Sequence, residues 1–186
     1  MIRPADPERD AGACAEIYAP YVAGTPTSFE EIAPDAREMG QRMRRVQATH
    51  PWLVAERDGC VVGYAYGSRH RERAAYRWSC DVAVYVAAAD HRRGVGRALY
   101  EALLALLREQ GFHTAVAGIT LPNEASVGLH EALGFEPVGV YREIGWKDGA
   151  WRDVGWWQAR LRPAPDGDAK PPEPLPPAGE RHLRSG

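Results

Sequence analysis

The chain has 186 residues, a formal net charge of −2, and 45% hydrophobic and 26% charged residues. This length fits one ordinary domain with a core of its own, and the composition is typical of a globular protein. The charge argues against a general nucleic-acid-binding protein, which usually has a basic excess, and no apolar run approaches the ~20 residues of a membrane span.

The cysteines indicate a compartment rather than a site. Cys14, Cys60 and Cys80 are few, odd in number and form no C-x-x-C pair. They fit buried thiols in a reducing compartment better than a disulfide framework or a zinc site. The N-terminus, MIRPADPERD, lacks the apolar segment of a secretory signal. We therefore expect a cytoplasmic protein without a bound metal.

Helices and strands are predicted to alternate along the chain. Asp6 and Pro7 are typical of a helix N-cap and first helical residue. A second helix is predicted over roughly 35–48 from its apolar spacing. In WLVAERDGCVVGYAYG, two apolar runs flank Asp58-Gly59, which predicts a β-hairpin because its turn requires positive φ.

The second half of the chain continues this alternation. RWSCDVAVYVAAA and HTAVAGIT are predicted as buried strands, and Val95–Gln110 as the amphipathic helix between them, ended by Gly111. NEASVGLHEALG predicts a short helix, and two strands around KDGA predict a closing hairpin. The order indicates a mixed α/β fold with one central sheet in a single domain, residues 1–162. Residues 163–186, rich in Pro, Gly and charge, are predicted to be a disordered tail.

The stretch HRRGVGRAL, residues 91–99, places two glycines and three arginines at the start of a helix. Bare backbone N–H groups at a helix N-terminus suit a phosphate. The dinucleotide fingerprint is excluded because Leu99 occupies its third glycine position, and the Walker motif is excluded because G-K-[ST] is missing. By itself the stretch leaves two interpretations open, a phosphate site or a solvated charged turn.

Arg93-x-x-Gly96-x-Ala98 resembles the R/Q-x-x-G-x-G/A motif of the GNAT superfamily of N-acetyltransferases, in which this loop wraps the pyrophosphate of acetyl-CoA. DVAVYV before it and NEASVGLHEALGF after it match that superfamily's fourth strand and second signature, in the same order. HPWLVAERDGCVVGYAYG and GWKDGAWRDVGWWQ are similar to the branch that acetylates phosphinothricin, methionine sulfone and methionine sulfoximine. The resemblance covers roughly residues 1–162. It implies the GNAT fold, whose mostly antiparallel, mixed sheet is flanked by helices, and a homodimer.

The resemblance also implies acetyl-CoA as cosubstrate and a set of residues that bind it. Backbone groups of a strand splayed from its neighbour would pair with the pantetheine arm, and the arginine loop would hold the pyrophosphate. Asn123 would bond the pantetheine arm, although capping the following helix is an equally good reading. The expected binding residues are Val84, Tyr85, Val86, Arg92, Arg93, Gly94, Val95, Gly96, Arg97 and Asn123.

Asp81 and His130 are the candidate catalytic residues. An aspartate among apolar neighbours is expected to have a raised pKa or a firm partner, and either suits a general base. In the related branch this position is usually Glu, one methylene longer. The alternative is a structural pair with Arg77. His130 would protonate the departing thiolate; the alternative is a histidine packed beside Leu133.

The acceptor is expected to contact Phe29, Tyr76, Arg77, Trp78 and Asp81, with Arg77 bidentate on an α-carboxylate. Trp146, Trp151, Trp156 and Trp157 are better suited to core or dimer contacts. The leading hypothesis is acetyl transfer from acetyl-CoA to the α-amine of a small amino-acid-like acceptor. The alternatives are a protein N-terminal or lysine acetyltransferase, a catalytically silent acyl-CoA sensor and, if the resemblance fails, an NAD-binding protein.

Overall fold

The computed structural model describes residues 1–163 and 170–177. Seven strands and four α-helices lie within these residues. The strands are β1 (Ile2–Pro4), β2 (Trp52–Arg57), β3 (Cys60–Arg69), β4 (Ser79–Val86), β5 (Thr114–Leu121), β6 (Glu136–Lys147) and β7 (Ala150–Arg160). The helices are α1 (Pro7–Ala23), α2 (Ala36–Gln47), α3 (Val95–Gln110) and α4 (Glu124–Ala132), with 3₁₀ turns at Ala74–Tyr76 and Ala88–Asp90.

All seven strands form one sheet in the order β1-β2-β3-β4-β5-β7-β6. Every neighbouring pair is antiparallel except β4 and β5, which run parallel. The expected mixed α/β single domain with a mostly antiparallel sheet is confirmed. Sequence analysis missed β1, whose three residues pair with β2 from Ile2↔Ala55 and are too few to show a periodic pattern.

The helices cover the two faces of the sheet. Helix α3 packs on one face through Leu99, Leu103 and Leu107, which are fully buried. Helices α1 and α2 pack on the other face, where Met39 and Met43 are buried. Because side chains alternate along a strand, each strand of the sheet can supply both cores.

Local sequence sets the ends of these elements as expected. Asp6 and Asp35 cap α1 and α2 through their carboxylates. Gly111 ends α3 at a φ of 102°, a left-handed conformation that favours glycine. Asp58-Gly59 has φ values of 50° and 79°, which confirms the predicted hairpin turn between β2 and β3.

Residues 170–177 contain no helix or strand but contact the domain. Leu175 exchanges two hydrogen bonds with Gln110, both at 2.7 Å. The Trp78 indole N–H donates to the Pro172 carbonyl at 2.8 Å. The rest of the predicted tail, 164–169 and 178–186, lies outside the described residues.

Three further observations concern the cysteines, the helices and possible metal ligands. Cys14 and Cys80 are buried thiols, but Cys60 is exposed at the start of β3, so the prediction of buried thiols is wrong for Cys60. None of the helices in the described part of the chain is long and apolar enough to cross a membrane. In the same residues, no group of three His, Cys, Asp or Glu side chains could hold a metal ion.

A buried ion pair ties the first strand to the first helix. Asp10 is 1% exposed. Its carboxylate accepts hydrogen bonds from Nη1 and Nη2 of Arg3 at 2.7 and 2.8 Å, and one from the Asp6 N–H at 2.8 Å. Burial alone would raise the pKa of Asp10, but these hydrogen bonds outweigh it and the pKa is lowered. Arg3 also donates to Glu56 on β2 at 2.9 Å. The pair therefore joins β1, α1 and β2.

We expect Asp10→Asn to lower the free energy of unfolding at pH 7 by about 3 kcal/mol, the lower end for breaking a buried pair, because Arg3 keeps Glu56. A lowered folded-state pKa stabilises the fold above the unfolded Asp pKa of 3.8, and this contribution is lost as the pH falls through the folded-state value. Urea titrations of both proteins at pH 7 and pH 3 measure the difference. It should shrink at pH 3. Glu72→Gln, on an exposed pair with Arg69, should change little. An equally small effect for Asp10→Asn would contradict the prediction.

Candidate active site

The central feature of the site is a gap between the two parallel strands. The β4–β5 ladder pairs only Ser79↔Thr114, Cys80↔Ala115 and Asp81↔Val116. Both strands continue for five residues beyond this ladder, each held by its outer neighbour. Strand β4 stays paired with β3 up to Val86, and β5 with β7 up to Leu121. The strands therefore diverge, and a cavity of about 80 Å³ lies between them.

The direction of the backbone groups along β4 follows from one hydrogen bond. The Ala87 N–H donates to the Val62 carbonyl of β3 at 2.9 Å. Since N–H directions alternate along a strand, the N–H of Tyr85 faces β3 and those of Val84 and Val86 face the gap. The Val86 carbonyl already accepts the hydroxyl of Tyr21 at 2.7 Å. Of the three residues expected to offer free backbone groups, Val84 is the one whose groups face the open gap.

At the wide end of the gap begins α3, whose N-terminus differs from that of the other helices. Helices α1, α2 and α4 have side-chain caps, from Asp6, Asp35 and Asn123. Helix α3 begins at Gly94 with a φ of 78° and no side-chain cap. Its first intrahelical bond runs from the Ala98 N–H to the Gly94 carbonyl. The N–H groups of 95–97 are therefore left for a ligand or solvent.

Exposed arginines surround this N-terminus. Arg97 is paired with Glu101 at 2.8 Å, and Arg93 lies 4.0 Å from Asp90. Arg92 adopts a φ of 61° and has no ion pair among residues 1–163 and 170–177. Positive φ at Arg92 and Gly94 turns the loop so that neighbouring N–H groups converge, an arrangement that binds anions. Together with the free helix N-terminus, this makes the loop a suitable binding site for a pyrophosphate.

A second cleft, of about 650 Å³, lies on the α1–α2 face of the sheet. Phe29, Tyr85 and Trp156 are among its lining residues. The Phe29 ring lies so close to Gly145 that a Cβ there would be 2.2 Å from it. The Trp156 ring lies over Gly118 of β5, which leaves room for it in the same way. Trp156 thus lines the cleft, whereas Trp157 is buried in the core, one of the two roles expected for these tryptophans.

The loop that carries Phe29 is fixed from two sides. The Tyr18 hydroxyl bonds Ser28 at 2.7 Å and Glu30 at 2.9 Å. Arg42 of α2 holds the same Glu30 carboxylate bidentately at 2.7 and 2.8 Å, and its hydrogen bonds lower the pKa of Glu30. The buried Lys147 ammonium, at the end of β6, donates to the carbonyls of Val22 and Glu30 at 2.9 and 2.6 Å. The loop is therefore tied both to the helices and to the β6–β7 hairpin.

Asp81 is the last residue of β4 paired with β5, so it lies at the apex of the gap. Burial raises its pKa, and a hydrogen bond with His70 partly offsets this rise. The Asp81 Oδ1 lies 2.6 Å from His70 Nδ1. The partner that the sequence suggested, Arg77, is instead paired with Glu173 at 2.7 Å. Sequence analysis missed His70, since nothing in SRHRERAAY sets it apart from its charged neighbours.

The other expected acceptor residues separate into two groups. Tyr76 lies beside His70, with ring centroids 5.7 Å apart. Arg77 stacks over Trp78 at 5.1 Å, and both contact the 170–175 segment. The structure therefore brings Tyr76, but neither Arg77 nor Trp78, to the Asp81 side. A carboxylate-binding role for Arg77 stays a prediction.

His130 and Asn123 lie on the far side of the gap. His130 is 3% exposed, and burial lowers its pKa. Its Nδ1 lies 2.7 Å from the Ser126 carbonyl, which can only accept, so Nδ1 carries the hydrogen. Nε2 then accepts from the Tyr100 hydroxyl at 3.0 Å. The neutral ring has no N–H left for a departing thiolate. Asn123 caps α4 by accepting from the Ser126 N–H at 3.1 Å.

Comparison with known proteins identifies the arrangement. Residues 5–156 match the model of the acetyltransferase (GNAT) domain family. The chain is 40% identical over 171 residues to phosphinothricin N-acetyltransferase of Streptomyces viridochromogenes, covering 91% of this chain and 93% of that one. It is 34% identical over 168 residues to L-methionine sulfoximine/L-methionine sulfone acetyltransferase of Salmonella typhimurium, covering 89% and 98%.

A solved structure gives the same result for the fold. The phosphinothricin acetyltransferase of Sinorhizobium meliloti, solved in complex with AcCoA, superposes with a TM-score of 0.85 at 33% identity and covers 94% of each chain. The split sheet, the uncapped α3 and the motifs around them thus agree with the family match over most of the chain. The chain belongs to the GNAT acetyltransferase family, and it is an N-acetyltransferase.

Proposed function

We propose that the chain transfers an acetyl group from acetyl-CoA to the α-amine of a small amino-acid-like acceptor of the phosphinothricin, methionine sulfone or methionine sulfoximine type. The observation that carries the proposal is the gap between β4 and β5. It joins a helix N-terminus that suits an anion on one side to a cleft on the other, with the partly buried Asp81 at its apex. The relatives named for these acceptors, at 40% and 34% identity, support it.

The cosubstrate would lie along the α3 side of the gap. The N–H groups of 95–97 and the Arg92, Arg93 and Arg97 guanidinium groups suit its pyrophosphate. Gly94 and Gly96 keep the approach to these groups free of bulky side chains. The backbone of Val84 suits the pantetheine amides and the thioester oxygen, and Val86 is partly engaged by Tyr21. Asn123, although it caps α4, stays a candidate contact for the pantetheine arm.

The acceptor would enter the cleft lined by Phe29 and Trp156. Its amine must lose a proton before it can attack the thioester, which requires a base, and Asp81 lies at the apex of the gap where the two substrates would meet. Tyr76 would close the acceptor side. For His130 to protonate the departing thiolate, it would first have to be protonated, and its lowered pKa makes this form scarce at neutral pH.

The alternatives differ in what the cleft must accept. A protein N-terminal or lysine acetyltransferase needs an open groove for a peptide. Here the loop that carries Phe29 lines the cleft and is held in place by Tyr18, Arg42 and Lys147. A fixed wall of this kind favours a small acceptor. A silent acyl-CoA sensor would need no base, and the paired Asp81 argues against it. The free cysteines are in keeping with a reducing cytoplasm.

We further propose that two copies associate through the β6–β7 edge of the sheet. Strand β6 is a twelve-residue edge strand, and such edges readily pair or associate unless they are blocked. This edge carries large apolar side chains that are 43–60% exposed, and two of them, Tyr141 and Ile144, also line the acceptor cleft. The residues are Val138, Val140, Tyr141, Ile144 and Trp146 of β6 and Trp151 of β7. An apolar patch of this kind is typical of a self-association surface.

The acceptor can be tested with a panel of amino acids. The purified chain, given acetyl-CoA with phosphinothricin, methionine sulfone, methionine sulfoximine, ordinary amino acids or short peptides, is expected to release free thiol with at least one amino-acid acceptor. The N-acetylated acceptor, which lacks a free amine, is the control. Release with peptides alone would favour the protein acetyltransferase. No release with any acceptor, together with tight acetyl-CoA binding, would favour the sensor.

The cosubstrate site can be tested with two matched glycines. Gly94 and Gly59 have φ values of 78° and 79°, and a Cβ at either would meet nothing within 4 Å. Gly94→Val and Gly59→Val should therefore each lower the free energy of unfolding by roughly 1–2 kcal/mol. Only Gly94→Val is expected to weaken acetyl-CoA binding, by about tenfold or more, because its side chain obstructs the helix N-terminus. Calorimetric titration measures this, and equal affinities for the two variants would refute the assignment.

The association surface can be tested by light scattering after size exclusion. The unaltered chain is expected to elute with the mass of a dimer, and Trp146→Lys to shift it towards a monomer by burying a charge in the interface. Ile32→Lys, at an 83% exposed apolar residue in the loop before α2, is the control and should leave the mass unchanged. A monomer for the unaltered chain at micromolar concentration would contradict the proposal.

A further inference from the structure

The His70–Asp81 pair is the most specific arrangement of titratable groups beside the gap. His70 follows β3 directly and folds back so that its Nδ1 lies 2.6 Å from Asp81 Oδ1. The side chains are 16% and 35% exposed. The ring is held edge-on between Tyr76 and Trp156, with centroids 5.7 and 6.4 Å away. A histidine this closely surrounded has one orientation rather than many.

The hydrogen-bond partners fix which nitrogen carries the proton. An ionised carboxylate can only accept, so Nδ1 donates to Asp81. The other nitrogen, Nε2, therefore carries a lone pair in the neutral ring. Nε2 has no hydrogen-bond partner in the described part of the chain. It is also not fully buried, so a ligand or solvent can reach it. An imidazole with one nitrogen held by a carboxylate and the other free is the arrangement of a general base with its orienting acid.

Asp81 by itself is poorly placed for this task. Its Oδ1 is occupied by the His70 N–H, and its short side chain starts from a strand residue paired on both sides, with Ser68 of β3 and Val116 of β5. The imidazole extends the reach of the carboxylate by the width of a ring. The ring lies beside Trp156, which also lines the acceptor cleft, so the imidazole extends towards that cleft.

We propose that His70 is the catalytic base of this acetyltransferase and that Asp81 is its positioning residue. The inference rests on the proposed function. His70 Nε2 takes one proton from the acceptor ammonium, and the freed nitrogen lone pair forms the new C–N bond at the thioester carbonyl. The C–S bond breaks with its electron pair on sulfur. The nitrogen, positively charged after the attack, gives its second proton to the thiolate, and His70 returns the first to solvent. The products are the acetamide, the thiol and one proton.

The groups that surround His70 come from four segments of the chain. Asp81 on β4 and Arg71 in the adjacent segment are the charged groups, and the charge of Arg71 acts to lower the pKa of Asp81. Tyr76, from the 3₁₀ turn, and Trp156, from β7, are neutral neighbours. Because Asp81 orients the ring, Asp81→Ala should reduce kcat/KM for the acceptor while leaving the affinity for acetyl-CoA unchanged.

His70→Asn is the decisive variant. Its amide N–H can replace the bond of Nδ1 to Asp81, but the amide cannot take up a proton. We expect kcat/KM for the acceptor to fall by about a hundredfold or more, with unchanged affinity for acetyl-CoA. The unaltered enzyme should have a bell-shaped profile of kcat/KM against pH. In the variant, kcat/KM should instead rise about tenfold per pH unit. The rise should continue up to the pKa of the acceptor's own amine, because without the base only acceptor molecules that are already deprotonated can react.

Two further measurements separate a base from a structural residue. In His70→Ala, added imidazole is expected to restore part of the activity, whereas His113→Gln, at a histidine bonded to Thr114 at the far end of β5, should behave like the unaltered enzyme. A His70→Asn variant with near-normal kcat/KM and the same bell-shaped profile would overturn the inference. Absence of thiol release by the unaltered chain would overturn the proposed function, and this inference with it.

Discussion

The early end of the β4–β5 ladder is the constraint on which the rest of the site depends. Two parallel strands that stay paired for three residues and then separate leave an opening in a sheet that is otherwise continuous. The opening is stable because each strand keeps its hydrogen bonds to its outer neighbour, so the backbone polar groups left unpaired are few. In the proposed reaction, two ligands would meet through the sheet, one from the α3 face and one from the α1–α2 face, with Asp81 where the strands part.

Helix ends and side chains near this opening differ in whether their hydrogen bonds are already made. Three helices are capped by their own side chains, and the fourth is left open at the loop of arginines. Tyr100, His130 and the Ser126 carbonyl form a closed chain of bonds in the wall of the gap. On the opposite side, the His70 ring is fully bonded on one nitrogen and unbonded on the other. Precise binding and proton transfer require groups that are held rigidly and keep one hydrogen-bonding position free for the ligand.

Much of the fold could be predicted from the sequence because its signals are local. Asp58-Gly59, Gly111 and the helix caps act within a few residues of themselves, so their effects can be recognised without knowing the fold. The GNAT motifs likewise lie on contiguous stretches. Adjacent Trp156 and Trp157 show the limit of such reasoning. A period of two places them on opposite faces of β7, but the sequence does not say which face is the core.

The parts of the site that escaped prediction depend on contacts between segments. His70 and Asp81 are eleven residues apart and meet only because the segment between β3 and β4 folds back through a 3₁₀ turn. The pairing of Arg77 with Glu173 spans 96 residues. A short strand such as β1 has no periodicity of its own and is defined by its partner. In each case a residue's role is set by a neighbour that no local pattern specifies.

Lys147 gives the β6–β7 hairpin a second consequence. Its ammonium joins the end of β6 to the loop that lines the acceptor cleft, while exposed apolar residues of the same strand form the surface proposed for self-association. In the proposed dimer, one structural element would therefore contact both the acceptor cleft and the partner copy. Thermodynamic linkage makes any coupling between the two reciprocal: if association orders the loop and so strengthens acceptor binding by some factor, the acceptor strengthens association by the same factor. Saturation with the acceptor would then shift the chain towards the dimer, and a higher chain concentration would strengthen acceptor binding.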